Sequence, residues 1–162
     1  MTLFPKITWA QPGGLAECPY FYRWVFDFQR FAVRIHHWLA DDDHRAPHDH
    51  PYWFLTICLR GGYTDFEFEV DEGGVCTVKD IDVLRFGSIR FRPAEHLHSV
   101  QQVIPGTITI LISGRPFRRW GFQFGGKKIM RDRYFAVQGH HPCDHDGEPV
   151  RLRPDGSRIV KN

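Results

Sequence analysis

Short runs of alternating apolar and polar residues, each closed by glycine or proline, recur along most of this chain. Residues 63–70 are the clearest case, with Thr64, Phe66, Phe68 and Val70 set against Asp65, Glu67 and Glu69. A side-chain period of two belongs to a strand, and this one reads as antiparallel with its acidic face wet. Asp71-Glu72-Gly73-Gly74 then signals a hairpin into a return strand over residues 75–79. Comparable runs cover residues 20–28, 31–39, 83–86, 88–92, 96–103, 107–113 and 118–124. Together they give about ten short strands at the spacing of an all-β sandwich or barrel. Residues 1–20, with Pro5, Pro12, Gly13, Gly14 and Pro19, read as an irregular lead-in with one short helical turn near residues 15–18. Residues 133–137 read as one more strand, and residues 150–152 with 158–160 as a last hairpin. No stretch carries the period of a long amphipathic helix.

The expected organisation is one domain over residues 1–162, with a barrel core over about 30–125 and an irregular tail over 126–162. A chain of 162 residues can bury a core without disulfide staples. Phenylalanine alone accounts for 14 residues, which favours strands around a rigid aromatic interior. The four cysteines, Cys18, Cys58, Cys76 and Cys143, form no CxxC pair, which fits a reducing cytoplasm. Residues 1–6 lack the basic and apolar regions of a signal peptide. Apolar runs reach only about six residues, far below the roughly 20 a membrane helix requires. A net charge of +2 and the absence of a DNA-reading helix pattern argue against nucleic acid. Basic residues do gather late, at Arg115, Arg118, Arg119, Lys127 and Lys128, which suits an anionic small-molecule ligand.

The chemistry-bearing residues cluster. His48-Asp49-His50 opens the apolar run of residues 52–60, which ends at Gly61-Gly62, a sharp bend. On extended backbone, residues two apart share a face about 7 Å apart, so both imidazoles can reach one divalent ion while Asp49 turns away. A second pair, His96 and His98, lies in Arg90-Phe91-Arg92-Pro93-Ala94-Glu95-His96-Leu97-His98. A third histidine from another strand would complete a ligand face with open positions, as a catalytic metal needs.

His48-x-His50, a strand ending at Gly62, and Pro93-x-x-x-x-His98 resemble the two motifs of the cupin superfamily, over roughly residues 40–113. The resemblance implies a jelly-roll (double-stranded β-helix) barrel with a metal inside, held by His48, His50 and His98. Two features depart from the pattern. Phe54 and Leu55 stand where the first motif carries a glutamate, and Glu95 stands where the second carries a glycine. The remaining three-histidine set is similar to that of thiol dioxygenases within the superfamily. Fe(II) is the first expectation for three imidazoles with vacant positions, and Zn, Ni, Mn or Cu suit the same ligand type. Cupin relatives often pair, so a homodimer is compatible with the resemblance.

Around that set, His96 is expected beside the ligands or against substrate. Arg92, with Arg90 in the same phase, is expected to face inward and clamp a substrate carboxylate or phosphate. Arg60 and Arg119 are weaker candidates for that clamp. Tyr63 and Tyr52 are candidate hydroxyl donors to bound oxygen or substrate. Cys58 reads as a buried structural thiol, out of phase with the histidines. His36 and His37 read as core histidines with satisfied rings, and one of them is a candidate to stand behind the metal ligands. The run His140-His141-Pro142-Cys143-Asp144-His145-Asp146 has ligand types for a second metal, but in no finger spacing, and reads as a polar loop. The functional expectation is a metal-dependent enzyme, foremost an iron dioxygenase of a small molecule. Isomerisation or hydrolysis by Zn or Mn, and a non-catalytic binding barrel, are its rivals, because one barrel hosts many functions.

Overall fold

The computed structural model describes residues 4–15, 18–42 and 46–138. They form eleven strands and one short helix, in the order β1 (Lys6–Leu15), β2 (Cys18–Asp27), β3 (Ala32–Trp38), β4 (Phe54–Arg60), β5 (Gly62–Val70), β6 (Cys76–Arg85), β7 (Ile89–Arg92), β8 (His98–Gln101), β9 (Thr107–Ser113), β10 (Gly121–Phe124), β11 (Lys127–Met130) and α1 (Arg131–Gln138). One sheet has the order β1-β2-β3-β9-β4-β7. The facing sheet runs β6-β5-β8 and continues through single bridges at His48 to β10-β11. All neighbouring strands are antiparallel. From β4 onward the chain passes back and forth between the sheets: β7 returns beside β4, β8 beside β5, and β9 inserts between β3 and β4. That crossing order makes a jelly roll, and side chains of alternate parity fill its interior.

The turn from β4 into β5 is the first of these crossings. Gly61 sits at φ +70°, and a Cβ there would lie 2.3 Å from Thr107 Oγ1. Thr107 Oγ1 accepts the Gly62 N–H at 2.8 Å, which pins the turn to the start of β9. Glycine is required at residue 61 by both conformation and space. The bend then sends Tyr63 into a buried cluster with Phe21, Trp38, Leu84 and Val100.

Four expectations change. Residues 6–15 are a strand rather than an irregular lead-in. β1 lies at the sheet edge, where Pro12 and two register shifts, between Thr8 and Gln11 and between Gly13 and Gly14, are tolerated. The return strand and residues 83–86 are one strand, β6, since nothing interrupts pairing with β5 beyond a single bulge at Glu67–Phe68. β11, unexpected from its sequence, pairs with β10 across the Gly125-Gly126 turn. Residues 133–137 are helical within α1, anchored by Tyr134, which is buried and stacks on Phe122 at 4.0 Å between ring centres. The expected hairpin at residues 150–160 lies outside the described residues. Among the described residues no helix is long and apolar enough to cross a membrane.

Candidate metal centre

The segment carrying His48 is held on both sides by backbone. His48 pairs with His98 through reciprocal N–H to carbonyl bonds of 2.9 Å, and it bridges to Phe122 on its other side. The His50 N–H donates to Ala94 O at 3.0 Å. Asp49, turned away from the histidines, is 3% exposed. Its carboxylate accepts the Gly121 N–H at 2.8 Å, the Arg118 guanidinium at 2.8 Å and the Lys128 ammonium. Arg118 also donates to Ala94 O at 2.8 Å. The alternation His-Asp-His therefore does two jobs, presenting two imidazoles inward and locking the segment by its buried middle residue.

His48, His50 and His98 each offer a ring nitrogen, and the three lie within 4.8 Å of one another. Nε2 of His50 and Nε2 of His98 are 2.8 Å apart. Metal–imidazole bonds of about 2.0–2.1 Å at near right angles place ligand nitrogens about 3 Å apart. The donor set thus fits one divalent ion with positions left open. Desolvation by burial and then the neighbouring rings of His98 and His48 hold His50 well below the ordinary imidazole range, so it is neutral and ready to ligate.

Behind this triad stands Asp65, 4% exposed. Its carboxylate meets His98 Nδ1 at 2.6 Å, His96 Nε2 at 3.0 Å and Arg92 Nε at 3.0 Å. A proton on His98 Nδ1 leaves its Nε2 free to ligate, the usual carboxylate–histidine support of a metal ligand. Burial opposes charge on both partners, but the pair outweighs it: Asp65 lies well below the ordinary carboxylate value and His98 above the ordinary imidazole value. Asp65, His96 and His98 are also close enough to hold an ion. The Arg92 guanidinium already occupies Asp65, and a second cation there would be repelled.

The sequence-expected residues fall as follows. His48, His50 and His98 converge. Tyr63 is 8% exposed, lines the same cavity, and its hydroxyl, bonded to Thr56, is pushed up by burial and then by Asp65. His96 is buried against Asp65, outside the cavity lining, with its ring centre 4.8 Å from that of His98. Arg92 and Arg90 do face between the sheets, but toward carboxylates of the protein itself. Arg92 Nη2 and Arg90 Nε both donate to Asp82 Oδ2 at 2.6 Å, so Arg92 supports Asp65 where a substrate clamp was expected. Arg60 and Arg119 are exposed and line no part of the cavity. Tyr52 lines it. Cys58 is fully buried and free, and burial raises its thiol. Its burial follows Phe54 and Thr56 on the inward parity of β4. The run at residues 140–146 lies outside the described residues.

The alternation of residues 63–70 suggests a wet acidic side, but Asp65 on that side is buried. Tyr63 and Asp65 share a parity, so an inward Tyr63 carries Asp65 inward too. His36 differs as well: it is 7% exposed, but its Nε2 meets no hydrogen-bond partner. The cavity that these groups surround, about 170 Å³, lies between the sheets and is walled by Phe21, Trp38, Phe54, Trp120 and Phe122.

A strand path that swaps sheets at each crossing, with a His-x-His segment and a later histidine meeting inside, decides the architecture. The fold is a cupin-like jelly roll. No family model matches the sequence. No curated protein matches it either. Solved structures similar to this cupin-like barrel include the DMSP lyase DddQ from Ruegeria pomeroyi DSS-3, at 14% identity and a TM-score of 0.49, covering 75% of this chain and 69% of that one. Fe(II) HppE matches at 13% identity and a TM-score of 0.49 over 71% of this chain and 58% of its own. KdgF from Halomonas sp. matches at 15% identity and a TM-score of 0.45, covering 70% of this chain and 89% of that one. These likenesses concern the fold alone.

Proposed function

We propose that this cupin-like protein is a metal-dependent enzyme acting on a small molecule, and that its reaction is an Fe(II)-dependent dioxygenation. The observation that carries the reading is the convergence of His48, His50 and His98 within 4.8 Å at the wall of the cavity between the sheets. A neutral set of three imidazoles suits a redox-active divalent ion with open positions. Such an ion would supply Lewis-acid polarisation of a bound ligand and a route for electrons to O₂.

The chain's own residues supply the rest. Asp65 holds His98 in one tautomer and orientation. Arg118 and Lys128, through Asp49, keep His48 and His50 from swinging apart. The aromatic wall keeps bulk water out, which strengthens each polar contact made inside. Tyr63 retains its proton across the working pH range and offers its hydroxyl to substrate. The free thiols of Cys58 and Cys76 suit a reducing compartment such as the cytoplasm.

The test is anaerobic purification, metal determination, and O₂ uptake with a panel of thiols and small organic acids. Iron with substrate-dependent uptake supports the reading. Zinc or manganese without uptake redirects it to isomerisation or hydrolysis. A folded protein that takes up no divalent metal refutes it.

A further inference from the structure

We propose that Arg23, Arg34 and His36 form a subsite for the carboxylate of a small organic acid, in the same cavity as the three metal-binding histidines. The role of such an acid as substrate rests on the metal-dependent reading, but its binding is separately measurable.

Two guanidinium groups line this cavity, and no salt bridge joins either to a carboxylate among the described residues. Arg34 donates one Nη1–H to Ser113 Oγ and lies 4.6 Å from the centre of the Tyr52 ring. Arg23 Nε donates to Gln11 Oε1 at 2.8 Å. Each guanidinium has five N–H donors, so most remain for a ligand. The two arginines are close enough to feel each other: burial first, and the charge of Arg34 among the further causes, hold Arg23 below its ordinary value. Like charges placed together in a partly dry cavity call for an anion.

His36 is the independent sign. It is the register partner of Arg23 across β2 and β3, and it lies two residues beyond Arg34 along β3. It lines the cavity at 7% exposure, stacks on Phe21 at 4.9 Å, and leaves Nε2 without a hydrogen-bond partner. A buried ring nitrogen is rarely left unmet in a folded protein. A carboxylate held by the two arginines gives Nε2–H an acceptor. Asp42, the carboxylate in the cavity lining, takes the Val100 N–H at 2.6 Å instead.

Geometry links this subsite to the three histidines. Tyr52, which Arg34 covers, lies 6.2 Å from the His50 ring, centre to centre. The walls between are aromatic and suit a carbon skeleton better than an inorganic anion. The cavity volume of about 170 Å³ suits a small acid.

The test is titration calorimetry with succinate as the probe, succinamide as its uncharged control and inorganic phosphate as the rival anion. It is run on the metal-loaded protein and on the His48→Ala/His50→Ala protein. Succinate should bind at least 30-fold tighter than succinamide. Arg34→Gln and Arg23→Gln should each weaken it at least tenfold, and His36→Phe by several-fold, with metal content at the wild-type level. Arg34→Lys should retain more affinity than Arg34→Gln, which separates charge from misfolding. The proposal falls if succinate binds no better than succinamide in either protein, if phosphate alone binds, or if folded arginine variants bind like wild type. Succinate binding through the arginines in a protein that takes up no metal would uphold the subsite and refute the metal reading. Metal uptake without succinate binding would do the reverse.

Discussion

Replacing Asp65 by Asn isolates the group on which the three-histidine centre leans. The carboxylate is 4% exposed and receives His98, His96 and Arg92 at 2.6–3.0 Å. An asparagine keeps one oxygen for His98 Nδ1–H, but it loses the charge and turns an N–H₂ group toward Arg92 or His96. Breaking a buried, hydrogen-bonded ion pair from one side costs about 3–5 kcal/mol, so the metal-free variant should lose roughly 3 kcal/mol in urea unfolding. Removing the carboxylate behind a ligating histidine typically weakens metal binding about 10–100-fold, or about 1.4–2.8 kcal/mol. Competition against a chromophoric chelator with Zn(II) or Co(II) measures that loss directly. Asp82→Asn is the control: it disturbs Arg92 and Arg90 but leaves Asp65 on His98, and should change metal affinity by less than about threefold. A folded Asp65→Asn protein that holds metal within twofold of wild type would refute the claim that Asp65 sets the tautomer of His98.

Three further outcomes follow from the structure. Gly61→Ala places a Cβ on Thr107 Oγ1 at φ +70° and should cost at least about 2 kcal/mol in urea unfolding; an unchanged midpoint would show that the crossing into β5 is not constrained there. Asp49→Ala strips Arg118, Lys128 and the Gly121 N–H of a buried acceptor, and should lower stability by about 3 kcal/mol and reduce metal content; metal retained at full stoichiometry would separate Asp49 from the site. His36 is depressed to about 3 by burial, with Arg23 and Arg34 adding to it, against an unfolded value near 6.5. Because the folded pKa is the lower one, the unfolded chain binds the proton first. This contribution to stability is complete above about pH 6.5 and is lost as pH falls toward 3, at about 1.4 kcal/mol per pH unit. His98 is shifted upward and acts in the opposite sense, so the comparison is between wild type and His36→Phe, whose stability should fall less steeply from pH 6.5 to 4.5. Equal slopes would contradict the buried neutral ring.

The barrel and its three histidines were legible because both signals are local. Period-two alternation marks strands, and His-x-His fixes two imidazoles on one face whatever the rest of the chain does. The supporting shell was less legible because it depends on strand phase and on partners far away in sequence. Asp65 has the sequence pattern of a wet-face carboxylate, and only the inward parity of Tyr63 on β5 carries it into the interior. Arg92 was given the right direction but the wrong partner, since the sequence does not show that Asp82 on β6 will face β7. Arg34 shares a face of β3 with His36, but Arg23 reaches them only through the pairing of β2 with β3, which no local pattern shows. β1 was hidden by its own prolines and glycines, which an edge strand with bulges accepts.

X-ray absorption on the protein loaded with Fe(II) or Co(II) tests the central claim most directly. One ion per chain, with three imidazole nitrogens at about 2.0–2.2 Å and their outer-ring scattering falling to two in His98→Ala, is the predicted result. An ion bound by oxygen ligands alone, or an imidazole count that does not change in any of the His48, His50 and His98 variants, would contradict it.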